Sequence, residues 1–175
     1  MKLQINTNKI KCLKSNKLLI SKKLSIQTFG NVSQRINKDL FVIKPSGVNL
    51  NKIKSKDMTV VNVANGKSVN SKLKPSSDTE THRILYKKYP NIKGIAHSQT
   101  TFLTAWAQAG KKIPILGTTH ADYWKGDIPI TNELKSNKIK KNYELNTGLS
   151  IIEILNKKKY NPDTCPGVLS RFHGA

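Results

Sequence analysis

Acidic side chains, arginine, cysteine and long apolar runs are all scarce in this sequence, and each scarcity excludes something. Ten Asp and Glu stand against 31 Lys and Arg, a net charge of +21. Such a charge ordinarily points to nucleic acid. Arginine, however, which reads phosphate and guanine through paired hydrogen bonds, occurs only as Arg35, Arg83 and Arg171. The lysines run from end to end without interleaved aromatics or a recognition motif. Asn and Ile are abundant beside them, and all three share A/T-rich codons. The charge therefore reads as nucleotide bias, with salt-sensitive adhesion to polyanions expected but no specific nucleic-acid partner. Cys12 and Cys165 are too few and too far apart for a disulfide framework or a zinc ribbon, so a reducing cytoplasm is the expected setting. No stretch approaches the about 18 apolar residues of a membrane span. The basic N-terminus lacks the apolar core and cleavage site of a secretory signal.

What is present suffices for one folded domain. A chain of 175 residues can bury a real core, and its apolar residues are clustered. Residues 1–24 carry Leu3, Ile10, Leu13, Leu18, Leu19 and Ile20 at a spacing compatible with a weak amphipathic helix on the outside of the domain. A partly ordered tail reads almost as well. Residues 25–33 predict a strand broken at Gly30-Asn31, where the glycine marks either a plain turn or a close backbone approach to a ligand. Residues 40–44 predict its hairpin partner, and Pro45-Ser46-Gly47 a turn with free N–H groups. Residues 58–63 predict a β-branched strand, returning through a type I′ turn at Asn65-Gly66 into residues 68–70. Ser77 and Glu80 have capping-box spacing for a helix running to about residue 88. Its N-terminus suits a phosphate, although Ser77 serves equally as a plain cap.

The remaining pattern is a strand at 92–97, a mostly buried helix at 100–109, a short strand at 113–116 and a polar loop at 117–123. A helix with a buried face follows at 142–158, then a loop bounded by Pro162 and Pro166, and a strand beginning at Gly167. Hairpins before residue 76 and alternating helices and strands after it predict a single α/β layered domain over residues 1–175.

The stretch from Gly94 to Tyr123 holds two of the four histidines, His97 at a strand end and His120 two residues before Asp122. His173 follows another short strand, and Asp78 opens a helix. Imidazole and carboxylate are the donors zinc prefers, and strand ends could gather them. The spacing alone favours structural, hydrogen-bonded histidines over a metal site.

Several blocks, in order, resemble the L-ribulose-5-phosphate 4-epimerases of the class II aldolase/epimerase family. They are Phe29-Gly30-Asn31-Val32-Ser33, residues 41–48, Lys74-Pro75-Ser76-Ser77-Asp78-Thr79, residues 105–110, Gly117-Thr118-Thr119-His120-Ala121-Asp122-Tyr123, Thr147-Gly148 and Pro166-Gly167-Val168-Leu169. The resemblance runs from about Ser25 to Ala175. It implies a three-layer α/β/α sandwich with a mixed, largely antiparallel sheet, a divalent metal, usually zinc, and a cytoplasmic homotetramer acting in pentose breakdown of the arabinose kind. It implies that Gly30, Asn31, Lys44, Ser46, Gly47, Ser76 and Ser77 hold a pentulose 5-phosphate, that Asp78, His97 and His173 bind the metal, and that Asp122 is a catalytic acid/base. The implied reaction is a reversible retro-aldol step that opens the C3–C4 bond and re-forms it with C4 inverted.

Two departures stand out. Gln99 occupies a position where the family has a metal-binding histidine, and an amide oxygen is a weaker zinc donor, so reduced metal affinity is expected. The family also continues into a segment bearing a tyrosine acid/base, and it has a histidine where Arg171 stands. A truncated, partly degenerate copy is therefore expected. A sibling ketose-phosphate aldolase and a non-catalytic oligomer partner remain as alternatives.

Overall fold

Alternating apolar residues build the sheet of the first of two compact units, residues 1–98 and 99–175. Strands β1 (Asn31–Arg35), β2 (Leu40–Ile43), β3 (Thr59–Asn62), β4 (Ser68–Val69) and β5 (Gly94–His97) lie in the order β4-β3-β2-β1-β5, and every neighbouring pair is antiparallel. The computed structural model describes residues 2–25, 29–69 and 71–175. Residues 26–28 of the first predicted strand, and Asn70 at the end of the fourth, lie outside that range.

Because successive strand residues point to opposite faces, the sheet sorts its side chains into two cores. Val42 and Val60 face one side with Ile36, Met58 and Cys12, the last from helix α1 (Lys2–Ser21). Phe41, Ile43, Val61 and Val63 face the other with Tyr86 from helix α2 (Thr79–Lys88). The Phe41 and Tyr86 rings are 5.0 Å apart. Helix, sheet and helix thus make three layers within this unit, as expected. Each fully buried side chain of this size contributes about 1.5–3 kcal/mol.

Three local expectations are corrected. Helix α1 forms, but its buried stripe is Lys9, Cys12, Asn16 and Leu19, while Leu3, Ile10 and Leu18 face outward. Polar residues take the inner stripe because backbone atoms meet them there: Lys9 Nζ donates to Lys56 O at 3.1 Å, and Asn16 is bonded to Val32. The β3–β4 hairpin forms without a type I′ turn, which needs positive φ at both central residues. Gly66 has φ +74 while Asn65 is not in that region, and Asn62 Oδ1 instead accepts from the N–H groups of Ala64 and Asn65. Helix α2 has no capping box. Its N-cap is Asp78, and Glu80 pairs with Arg83 at 2.7 Å.

The second unit is mainly helical, with α3 (Thr101–Gln108), α4 (Thr118–Tyr123) and α5 (Ser136–Lys157). Helix α3 starts at Thr100, whose side chain accepts from Leu103 N, and the chain leaves it at Gly110 with φ +67. The expectation of a mostly buried helix fails: only Ala107 of α3 is buried, and Phe102 is 82% exposed. The predicted strands at 113–116 and from Gly167 reduce to single bridges, Ile113 to Ile128 and Leu169 to Ile130. The polar loop at 117–123 is helical, as α4. Helix α5 begins earlier than expected because a kink at Asn142 (φ −165, ψ 82) joins two helical pieces.

Candidate active site

The first unit gathers its polar residues where α2 begins. Asn31 opens β1 and His97 closes β5, and the two are register partners. Their side chains therefore share a face with Ser33, the face that α2 covers. Asp78, the N-cap of α2, reaches both. Its Oδ2 accepts from Asn31 Nδ2 at 2.5 Å and lies 2.7 Å from His97 Nδ1. Burial would raise the Asp78 carboxyl. The hydrogen bond and charge of His97, the charge of His82 and the Asn31 amide outweigh it and hold the group at about 2. Asn31 is 2% exposed, and its Oδ1 has no partner among the described residues. An orphaned buried oxygen beside a carboxylate and an imidazole suits a cation or a hydroxyl ligand.

The turn after β2 borders the same place. Ser76 N donates to Lys44 O at 2.9 Å and Ser46 N to Lys74 O at 3.0 Å, so Ser46-Gly47 and Ser76-Ser77 are tied together. The expectation of free N–H groups in this turn fails at Ser46, whose N–H makes that bond. Gly47 has φ +63, and a Cβ added there would meet nothing within 4 Å. The turn thus needs glycine for its backbone and opens onto empty space. Gly30 has φ +69, and a Cβ there would lie 2.8 Å from His97 O; glycine is what lets β1 approach the end of β5. Lys44 is 3% exposed. Burial lowers its ammonium pKa, partly offset by the charge of Asp78.

Behind Asp78 lies a buried chain that sequence reading missed. His82, one turn further along α2, places Nδ1 2.7 Å from Ser33 Oγ, which lies 2.9 Å from Tyr86 OH. Burial pushes the His82 imidazole down to about 4, against the pull of Asp78, so it is neutral at pH 7. The i, i+4 spacing of Asp78 and His82 was the available signal.

The other two candidates belong to the second unit. Asp122 is exposed on α4. His173 is half-buried in the turn bridged by Ser170 and Gly174, edge-on to Tyr143 at 5.9 Å. Arg171 is a structural residue here, its guanidinium stacked 5.0 Å over Phe172 and set against Gly110. Among the described residues no three His, Cys, Asp or Glu side chains form a metal-holding group. Asp78 and His97 are a carboxylate and imidazole pair that fits a divalent ion.

The family model of the Class II Aldolase and Adducin N-terminal domain matches residues 11–175. A probable L-ribulose-5-phosphate 4-epimerase UlaF from Mycoplasma pneumoniae is 46% identical over 172 residues, 98% of this chain and 71% of that protein. The chain belongs to the class II aldolase family. Among solved structures of the family fold, an L-fuculose 1-phosphate aldolase is 27% identical with TM-score 0.75, covering 96% of this chain and 73% of that one. The l-fuculose-1-phosphate aldolase from Thermus Thermophilus, 21% identical, superposes with TM-score 0.71 over 99% of this chain and 78% of its own. The second likeness shows that the class II aldolase fold extends over the whole described chain.

Proposed function

We propose that this chain epimerises L-ribulose 5-phosphate to D-xylulose 5-phosphate by retro-aldol and aldol steps. The observation that carries this reading is the convergence of Gly30-Asn31, Ser46-Gly47 and Ser76-Ser77 on the start of α2, beside Asp78 and His97. A helix N-terminus with flanking hydroxyls and a buried ammonium is built to hold a phosphate. The 46% identical relative carries the matching name.

In this reading Ser46, Gly47, Ser76, Ser77 and Lys44 fix the phosphate. The carbon skeleton then lies toward Asn31, whose unpaired Oδ1 accepts from a substrate hydroxyl. Asn31 also orients Asp78 through its amide. Asp78 and His97 would hold a divalent cation, with zinc favoured by the donor types. The chemistry such an ion supplies when bound is stabilisation of negative charge on the ketose oxygens as the C3–C4 bond opens. Asp122 moves the proton at the C4 oxygen. Asp122 and His173 enter on the resemblance of their sequence blocks. Among the described residues no helix is long and apolar enough to cross a membrane; the cytoplasmic setting rests on the family resemblance. Phe102 and Leu116, 82% and 81% exposed, favour assembly with further copies, a homotetramer by family resemblance.

The test is to incubate the full chain with L-ribulose 5-phosphate and follow D-xylulose 5-phosphate, with and without added zinc, manganese or cobalt. Interconversion without free aldehyde supports the epimerase. Release of glycolaldehyde phosphate would instead support an aldolase, the second reading that the likeness to L-fuculose 1-phosphate aldolase favours. No turnover with any of these metals sinks both.

A further inference from the structure

Strand β2 changes partners at its end. From Phe41 to Ile43 it pairs with β1, Arg35 opposite Phe41 and Ser33 opposite Ile43. Continuing that register would set Lys44 opposite Val32. Instead Lys44 O accepts from Ser76 N, and the chain goes on to pair Pro45 with Pro75. The sheet forks there, and Val32 N–H loses the carbonyl that would otherwise accept from it. An unmet backbone N–H in a protein interior is costly and must find another partner.

One side chain supplies that acceptor and a further donor to Val32 O. Asn16 Oδ1 accepts from Val32 N at 2.9 Å, and Asn16 Nδ2 donates to Val32 O at 2.9 Å. The second Nδ2 hydrogen goes to Cys12 O at 2.8 Å, which fixes the rotamer from within α1. Cys12 Sγ, 3.2 Å from Val32 O and 3.6 Å from Val42 O, closes the crotch of the fork. Asn16 is 1% exposed, so bulk solvent does not compete for these bonds. An amide imitates a strand backbone, with one donor and one acceptor at the right separation.

We propose that Asn16 is a positioning residue of the sugar-phosphate site. It stands in for the departing strand, so that Asn31 on one arm and Ser46-Gly47 on the other both border the start of α2. Without it, the lowest-cost repair is for Lys44 O to accept from Val32 N–H. That pulls Lys44 O away from Ser76 N and collapses the cradle. The inference deepens the functional reading above and rests on the cradle taking the substrate phosphate.

The variants are Asn16→Asp, which keeps the shape but sets an oxygen against Val32 O and Cys12 O, and Asn16→Ser, which leaves room for a water. Inorganic phosphate is titrated into the labelled full chain and followed at the Ser46 and Gly47 amides, with thermal melting in parallel. Both variants, while folded, are expected to bind phosphate at least about tenfold more weakly. The KM for L-ribulose 5-phosphate should rise by a similar factor and kcat should fall less. A merely structural asparagine would lower Tm and leave phosphate affinity unchanged in the folded protein, and that result overturns the proposal. Should neither variant fold, hydrogen exchange of the Val32 amide in the unaltered chain decides: saturating phosphate is expected to slow it, and an unchanged rate overturns the proposal. Phosphate binding without turnover would refute the epimerase reading alone. Absence of phosphate binding by the unaltered chain would refute the cradle and this role together.

Discussion

Replacing Asp78 by asparagine tests whether a single ionised carboxylate organises the site. Its side chain is 23% exposed and lies 2.7 Å from His97 Nδ1. The carboxyl is held at about 2, from an ordinary 3.8. At about 1.36 kcal/mol per pH unit that gap is worth about 2 kcal/mol, and solvent screening of the exposed part reduces it to about 1–2 kcal/mol. The sign follows from proton binding. The folded carboxyl binds a proton more weakly than the unfolded one, so above about pH 5 both are ionised and the stabilisation is complete. As the pH falls from about 5 toward about 2 the unfolded chain takes up the proton first, and the stabilisation is lost.

The measurement is urea unfolding of the unaltered chain and Asp78→Asn at steps between pH 6 and pH 2, roughly spanning the titration. Far-UV circular dichroism is the signal, because Trp106 and Trp124 both lie in the second unit and fluorescence would report on that unit instead. Hydrogen exchange at β1 amides assigns the change to the first unit. The stability difference between the two proteins should narrow by about 1–2 kcal/mol over the acid limb. Parallel curves would show that Asp78 is not an ionised partner of His97 and Asn31, and the reading of the site would fail with it.

Gly30→Ala should be far more damaging than Gly47→Ala. Both incur left-handed strain of about 1–2 kcal/mol, but only at Gly30 does the new Cβ meet a backbone oxygen, at 2.8 Å. Equal losses in thermal melting would contradict the close approach of β1 and β5. His97→Ala should abolish stoichiometric binding of zinc or cobalt in calorimetry while leaving inorganic phosphate affinity within about twofold; a full complement of bound metal would remove His97 from the donor set. Asp122→Asn should cut kcat by about a hundredfold or more with no change in Tm, since the residue is exposed on α4. Unaltered kcat would take the proton transfer away from it.

The sequence made legible those features that a residue announces by itself. Gly30 and Gly47 stand at positive φ, a requirement visible in their flanking strands and turns. Phe41, Val42 and Ile43 form one continuous apolar run, as a strand buried on both faces requires. Asp78 at a helix start and His97 at a strand end were placed correctly, because local pattern sets where elements begin and stop. What was illegible depended on partners far along the chain. Glu80 has the right spacing for a capping box, but Arg83 competes for it one turn on and forms a charged bond at 2.7 Å. The run at 113–116 looks like a strand, but a strand needs a neighbour, and among the described residues Ile113 finds only the bridge to Ile128.

Helix α1 shows why the hidden contacts matter for function. Its leucines suggested the inner face, and of these Leu19 is buried and Leu13 packs against the core, while Leu3 and Leu18 face outward. The helix also turns Cys12 and Asn16 inward, since the forked sheet presents a backbone N–H that only a polar group can satisfy. The fork exists because β2 must leave β1 to carry Ser46-Gly47 toward Ser76-Ser77. A site placed where strands part always exposes such atoms, so the fold has to provide a plug for each fork it opens. In this chain the plug is Asn16, and the α1 pattern that defeated the amphipathic reading follows from the architecture of the cradle.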